Sequence, residues 1–206
     1  MELWQLTQKI KNHRPTLQGG QPEYAVLVPL VEQSDGWHLL YEIRASTLHH
    51  QPGEVCFPGG QIESGESPIE CALREAEEEL GLTAHAVEVL GPLDFLIRGK
   101  NIVYPILARV NTASLADLSM NSAEVSNTFT VPLNWLRDHP PEMYRCTIQP
   151  HMEDFPYDAV HVSPDYPWSP LAVEVPVYRG LPHPLWGLTA RITSWFIEKA
   201  YQEKDS

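Results

Sequence analysis

The pattern of apolar and polar positions predicts strands alternating with helices. Segments 24–31 and 37–44 are rich in β-branched and aromatic residues and flank Asp35-Gly36, which predicts a β-hairpin. Further extended segments are expected at 54–57, 87–97, 102–110, 128–131 and 143–149, with a turn at 98–101. Apolar residues at helical spacing predict short helices at 1–11 and 132–138 and a longer helix at 187–202.

The clearest helix signal begins at Ser67. Ser67 is a good N-cap residue, Pro68 suits the first helical position, and Glu70 completes a capping box with Ser67. Gly81 fits the position just after the last helical residue, where φ is usually positive. Between these ends, apolar residues repeat at helical spacing and form one stripe: Ile69, Ala72, Leu73, Ala76 and Leu80.

A second face of this helix carries three carboxylates. Glu75, Glu78 and Glu79 stand at positions i, i+3 and i+4, so they are neighbours. Like charges one turn apart repel, and folding stability therefore explains the cluster poorly. A divalent cation bound among them explains it well. Arg74 is adjacent and is placed to orient one of these carboxylates, and Glu66 precedes the helix N-terminus, where negative charge is favoured.

The segment 60–82 resembles the Nudix box, the signature of a family of metal-dependent pyrophosphohydrolases. The charged and glycine positions of the family pattern are occupied by Gly60, Glu66, Arg74, Glu75, Glu78, Glu79 and Gly81. The resemblance implies a site for Mg²⁺ or Mn²⁺ in which Glu75 and Glu79 reach one cation and Glu78 bridges to a second. It also implies water attack on a diphosphate, assisted by Arg74, with Glu78 or Glu124 as the general base.

The preceding segment 44–60 is similar to the one that marks the coenzyme A diphosphatase branch of this family. The matching positions are Arg44, Leu48, Gly53, Glu54, Val55, Phe57, Pro58, Gly59 and Gly60. Segments 123–133 and 185–190 resemble later parts of the same branch. This similarity implies hydrolysis of coenzyme A, or of an acyl derivative, to 3′,5′-ADP and 4′-phosphopantetheine.

Substrate contacts follow from the same resemblance and from charge. Gly59 and Gly60 let the backbone approach phosphate closely. Arg44, Arg98 and Lys100 are the candidate cations for an anionic substrate. Ala45 and His49 depart from the branch pattern, which leaves open another nucleoside diphosphate derivative such as ADP-ribose, NADH or a nucleoside triphosphate. A catalytically silent nucleotide-sensing domain is the alternative from a different class; the three intact carboxylates argue against it.

Composition fits one soluble enzyme domain spanning residues 1–206. Hydrophobic residues make 43% and charged residues 20% of the chain, and the net charge of −13 disfavours nucleic acid as a partner. No apolar run reaches the ~18 residues that a membrane span needs. Residues 1–11 do not have the pattern of a signal peptide. The cysteines are scattered and odd in number, so a reducing cytoplasm is the expected compartment: Cys56, Cys71 and Cys146.

Residues 151–184 are rich in proline and are predicted to form a long loop with one strand at 172–178. Such a loop could be a lid or a wall of the substrate pocket, or a plain surface insertion. The order of the elements allows, and the Nudix resemblance implies, an α/β fold with a mixed sheet between helices, an α/β/α sandwich.

Overall fold

A mixed β-sheet forms the centre of the molecule in the computed structural model, which describes residues 2–11, 13, 19–111 and 118–202. Within these residues the sheet has eight strands: β1 Glu23–Gln33, β2 Gly36–Arg44, β3 Val55–Cys56, β4 Gly59–Gln61, β5 Val87–Pro92, β6 Leu96–Arg98, β7 Asn101–Val110 and β8 Val125–Pro132.

Strand β1 lies at the middle of the sheet and pairs with β7. This is the one parallel pairing in the sheet among the described strands. Strand β1 pairs antiparallel with β2 and with the short strand β4, which places Val26 opposite Gly59 and Ala25 opposite Gly60. Strand β2 in turn pairs with β3 and β8. These pairings bring the loop around Gly59 and Gly60 directly onto the central strand.

The described helices are α1 Leu3–Lys11, α2 Pro68–Leu80, α3 Leu133–Asp138 and α4 Gly187–Tyr201. Helix α2 packs on one face of the sheet, where Ala76 and Leu80 are buried with Leu27 and Leu40. Helices α3 and α4 cover the other face, where their apolar residues are buried with Leu39, Tyr41 and Ile43: Leu136, Ala190, Ile192, Phe196 and Ile197. The predicted α/β/α sandwich is confirmed.

One predicted strand is wrong in its extent. The segment 87–97 was expected to be continuous, but β5 ends at Pro92 and β6 begins at Leu96. Proline has no N–H to donate to the ladder, and the chain leaves the sheet edge after it. β6 then forms a hairpin with β7 in which Arg98 lies opposite Asn101.

A smaller antiparallel sheet has three strands among the described residues: β9 Glu142–Ile148, β10 Leu171–Tyr178 and β11 Leu185–Trp186. β10 is the strand expected within the proline-rich segment, and β11 leads directly into α4. None of the described helices is long and apolar enough to cross a membrane.

Candidate active site

Helix α2 begins after Ser67 and ends before Gly81, as the sequence predicts. The Ser67 side chain accepts a hydrogen bond from the Glu70 N–H, and the Glu70 carboxylate accepts one from the Ser67 N–H. Gly81 ends the helix in the left-handed conformation, at φ 70°. Because the helix is fixed at both ends and packed along its apolar stripe, the direction of its carboxylate face is also fixed.

Arg74 connects the loop before the helix to the carboxylates on it. Its guanidinium donates to both oxygens of Glu66, at 2.9 and 3.2 Å, and to Glu75 Oε1 at 2.8 Å. A longer contact of 3.3 Å reaches Glu78. The bidentate pair with Arg74 lowers the pKa of Glu66, so Glu66 serves to anchor the guanidinium. Arg74 thus holds Glu75 through one hydrogen bond, and its bidentate pair is with Glu66 and not with a carboxylate of the helix.

The glycine loop lies against the helix carboxylates. The Gly59 N–H donates to Glu79 Oε2 at 2.9 Å. A Cβ built on Gly60 would lie 2.1 Å from Glu75 Oε1, and one on Gly59 would lie 2.3 Å from the carbonyl oxygen of Ala25. A side chain on Gly59 would therefore meet the backbone of β1, whereas one on Gly60 would displace the Glu75 carboxylate.

Glu79 and Glu75 are held in a setting that disfavours their negative charge. Glu79 is buried, with a relative exposure of 3%. Burial, followed by repulsion from Glu42, raises its pKa, and the Gly59 N–H opposes that change only in part. Burial also raises the pKa of Glu75 despite its contact with Arg74. Two carboxylates held close together in this way favour a cation between them.

Glu42 on β2 also belongs to this cluster, and the sequence reasoning missed it. It is only 1% exposed, and it lies on the same sheet face as Leu40, the face that α2 covers. Burial raises its pKa, with repulsion from Glu124 and Glu75 adding to the effect. The signal in the sequence was one glutamate inside an otherwise apolar stretch, Leu39-Leu40-Tyr41-Glu42-Ile43.

The two candidates for the general base differ in position. Glu124 is half-buried, its carboxylate accepts from the Asn121 side chain at 3.2 Å, and its carbonyl accepts from the Ala45 N–H. Its charge repels those of Glu42, Glu75 and Glu79. The Glu78 side chain is 57% exposed and held on the outer side by Arg74. The fold thus brings Glu124 to Glu75 and Glu79 and leaves Glu78 at the rim.

The donors present suit a hard divalent cation. Among the described residues, no three acidic, histidine or cysteine side chains are already arranged as a ligand set. Mg²⁺ does not require one, because it usually keeps several waters and takes one or two carboxylates together with substrate phosphates. Two features fit such an ion. Glu42 Oε2 is buried and has no hydrogen-bond donor within the described part of the chain, and the Glu75 carboxylate fills the space that a side chain on Gly60 would occupy.

A cleft lies beside this cluster, because Cys56, whose thiol donates to Glu42, is one of its lining residues, and it extends to the second sheet. Its narrow part, of about 90 Å³, is lined by Arg44, Cys56 and Arg98. Its wider part, of about 440 Å³, shares Arg98 and continues along an apolar wall formed by Leu96, Ile97, Ile148, Leu171, Val173 and Trp186. Lys100 is exposed in the turn between β6 and β7 and is not among the described lining residues.

Known proteins resemble this chain in sequence and in fold. Over 135 residues it is 35% identical to the peroxisomal coenzyme A diphosphatase of Mus musculus, covering 65% of this chain and 56% of that protein. Over 172 residues it is 36% identical to the mitochondrial coenzyme A diphosphatase of Mus musculus, covering 82% and 73%. The chain spans about half the length of the first curated relatives it matches.

The fold is shared with a solved structure, that of a MutT/nudix family protein from Enterococcus faecalis. The match has a TM-score of 0.50 at 15% identity and covers 99% of this chain and 72% of that one. Residues 21–148 match the family described as NUDIX domain. That match includes β1, the glycine loop, the whole of α2 and Glu124. The chain therefore belongs to the NUDIX domain family.

Proposed function

We propose that this protein is a metal-dependent pyrophosphohydrolase that cleaves the diphosphate of coenzyme A, or of an acyl-coenzyme A, to 3′,5′-ADP and 4′-phosphopantetheine. The observation that carries the proposal is the cleft lined by Arg44, Cys56 and Arg98, which lies beside the carboxylate cluster because the Cys56 thiol donates to Glu42. An apolar wall adjoins this cleft at Arg98. Two relatives of this chain are named coenzyme A diphosphatases, which supports the same substrate.

The shape and lining of the cleft suit coenzyme A better than a nucleoside triphosphate. Coenzyme A is long, with an anionic nucleotide end, a central diphosphate and a weakly polar pantetheine arm. Cations at the narrow part suit the diphosphate and the 3′-phosphate, and the apolar wall suits the arm. A nucleoside triphosphate has no group to fill that wall, so it would gain less from binding there.

The metal in this proposal is Mg²⁺ or Mn²⁺, held by Glu75 and Glu79 with Glu78 at the outer side. When bound, it supplies charge neutralisation of the diphosphate oxygens and makes a water more acidic. Arg74 keeps Glu75 in place, and the Gly59 N–H keeps Glu79 in place. These contacts preorganise the ligands, so little reorganisation accompanies the reaction.

Glu124 is the proposed general base. Its carboxylate accepts a proton from the attacking water, and Asn121 holds it in position from three residues earlier. Glu78 suits this role less well because Arg74 holds it at the exposed rim. Arg44, Arg98 and Lys100 are proposed to bind substrate anions. The free thiols of Cys56 and Cys71 need no part in the chemistry.

The test is a substrate panel with product identification. Purified protein is incubated with Mg²⁺ or Mn²⁺ and with coenzyme A, an acyl-coenzyme A, ADP-ribose, NADH and nucleoside triphosphates in parallel. Chromatography is expected to show coenzyme A compounds consumed with the highest kcat/KM and 3′,5′-ADP formed. Faster turnover of ADP-ribose or NADH would overturn the substrate assignment, and no turnover of any compound would favour a nucleotide-sensing domain.

The proposed compartment is the cytoplasm, because the three cysteines are free and no disulfide pattern appears in the sequence. The two relatives compared above are named for the peroxisome and the mitochondrion. Fractionation of the source cells with antibody detection tests this proposal. Recovery of the native protein with an organelle would contradict it.

A further inference from the structure

Glu42 is a carboxylate that the family motif does not contain, yet it is directed into the same acidic cluster. It is contributed by β2, across the sheet pairing from Cys56, whereas Glu75 and Glu79 come from α2. Its charge repels the charges of Glu79, Glu75 and Glu124. Elements far apart in sequence thus bring four carboxylates to one place.

The two oxygens of Glu42 have different surroundings. Oε1 accepts a hydrogen bond from the Cys56 thiol at 3.1 Å, which fixes the rotation of the carboxylate. Oε2 is fully buried and, among the described residues, has no hydrogen-bond donor. A buried oxygen of this kind destabilises the folded protein unless something binds it. The nearby cation Arg44 attracts Glu42, but its Nε donates to the carbonyl of His50.

We propose that Glu42 is an additional ligand of the divalent cation site, reaching the metal through Oε2 while Cys56 positions it through Oε1. The proposal rests on the metal site of the proposed function and extends it to a residue outside the Nudix box. A hard cation suits a buried oxygen of this kind because it compensates the charges of the surrounding carboxylates at the same time. The sheet, and not only the helix, then holds the metal.

The experiment measures Mn²⁺ binding directly, by the electron paramagnetic resonance signal of free Mn²⁺ at fixed pH and without substrate. Three variants of the full chain are compared with the wild type. Glu42→Gln keeps the shape and removes the charge. Glu42→Asp keeps the charge and shortens the reach. Glu77→Gln removes one charge from the exposed side of α2 and is the matched control.

We expect Glu42→Gln to weaken Mn²⁺ binding about tenfold or more, as loss of a group that holds a metal site does. Glu42→Asp should weaken it about threefold or more, because the oxygen no longer reaches the ion. Glu77→Gln should stay within about twofold, since an exposed charge is screened. Without metal, Glu42→Gln should melt at a higher temperature than the wild type, because repulsion is relieved.

Unchanged Mn²⁺ affinity in Glu42→Gln would overturn the proposal. So would wild-type affinity in Glu42→Asp together with weak binding in Glu42→Gln, because charge alone would then be responsible. Circular dichroism shows whether each variant folds, and Glu42→Asp decides the question if Glu42→Gln does not. Failure of the wild type to bind Mn²⁺ would refute the metal site itself, so the two proposals fail in distinguishable ways.

Discussion

Replacing Gly60 by alanine should lower activity about 100-fold while leaving the fold intact. The added Cβ would lie 2.1 Å from Glu75 Oε1 and 2.4 Å from its Cδ, whereas real Cβ contacts essentially never fall below 3.0 Å. Gly60 does not have a positive φ, so alanine fits its backbone conformation. The atom that must move is the end of a flexible side chain, and the backbone can stay where it is.

The size of the effect follows from that displacement. The Glu75 carboxylate must retreat by about 1 Å, which also weakens its 2.8 Å contact with Arg74. A misplacement of about 1 Å in a catalytic site costs about 100-fold in rate. We therefore expect kcat/KM for coenzyme A to fall about 100-fold, equivalent to about 2.7 kcal/mol of transition-state stabilisation. The free energy of unfolding should change by less than about 1 kcal/mol.

Gly59→Ala is the matched control, one residue earlier in the same strand. Its Cβ would lie 2.3 Å from the Ala25 carbonyl oxygen and 2.7 Å from Val26 Cα, which belong to the central strand and cannot easily move. This variant should lose about 3 kcal/mol of unfolding free energy through overpacking. Chemical denaturation measures stability for both variants, and steady-state kinetics measures activity.

A fully active Gly60→Ala protein would refute the reasoning, because Glu75 would then not need its present position. Equal destabilisation of both variants would also refute it, since the carboxylate would then be as rigid as the backbone.

Three further outcomes are expected. Glu124→Gln should lower kcat about 100-fold or more, whereas Glu78→Gln should lower kcat less; the reverse order would make Glu78 the base. Arg44→Ala should raise KM for coenzyme A about tenfold with a smaller change in kcat, measured by initial rates, and an unchanged KM would remove Arg44 from the substrate site. In EDTA, thermal melting should show stability falling as pH rises above 4.5, because the folded-state pKa values of Glu42 and Glu79 are raised from that value. Their protonated forms stabilise the folded state below 4.5, and that contribution is lost as pH rises through the raised pKa values. Mg²⁺ should reverse the loss, and a flat profile in EDTA would contradict the burial of these carboxyls.

Local signals in the sequence were sufficient to predict the box helix. Ser67, Pro68, Glu70 and Gly81 act within one or two turns of their own positions, so the ends of α2 could be predicted without knowledge of the rest of the fold. Strand β4 could not, because Gly59 and Gly60 have little strand propensity and become extended by pairing with β1.

For the acidic cluster, the helix pattern predicted Glu75, Glu78 and Glu79 and the family resemblance added Glu124, but Glu42 was not predicted. Glu75 and Glu79 are neighbours by helical periodicity, which the sequence displays directly. Glu42 joins them because strand order places β2 beside β1 and because its side chain lies on the sheet face that α2 covers. The residues next to Glu42 in the sequence specify neither the order of the strands nor the sheet face that its side chain occupies.

The central claim is tested most directly by measuring 3′,5′-ADP release from coenzyme A by the wild type and by Glu79→Gln, side by side, over a titration of Mg²⁺. Glu79 is held by the Gly59 N–H at the centre of the carboxylate cluster, and glutamine keeps its shape. We expect metal-dependent release by the wild type and a loss of about 1,000-fold or more in a folded Glu79→Gln protein. Full activity of that variant, or release by the wild type that does not depend on metal, would contradict the account.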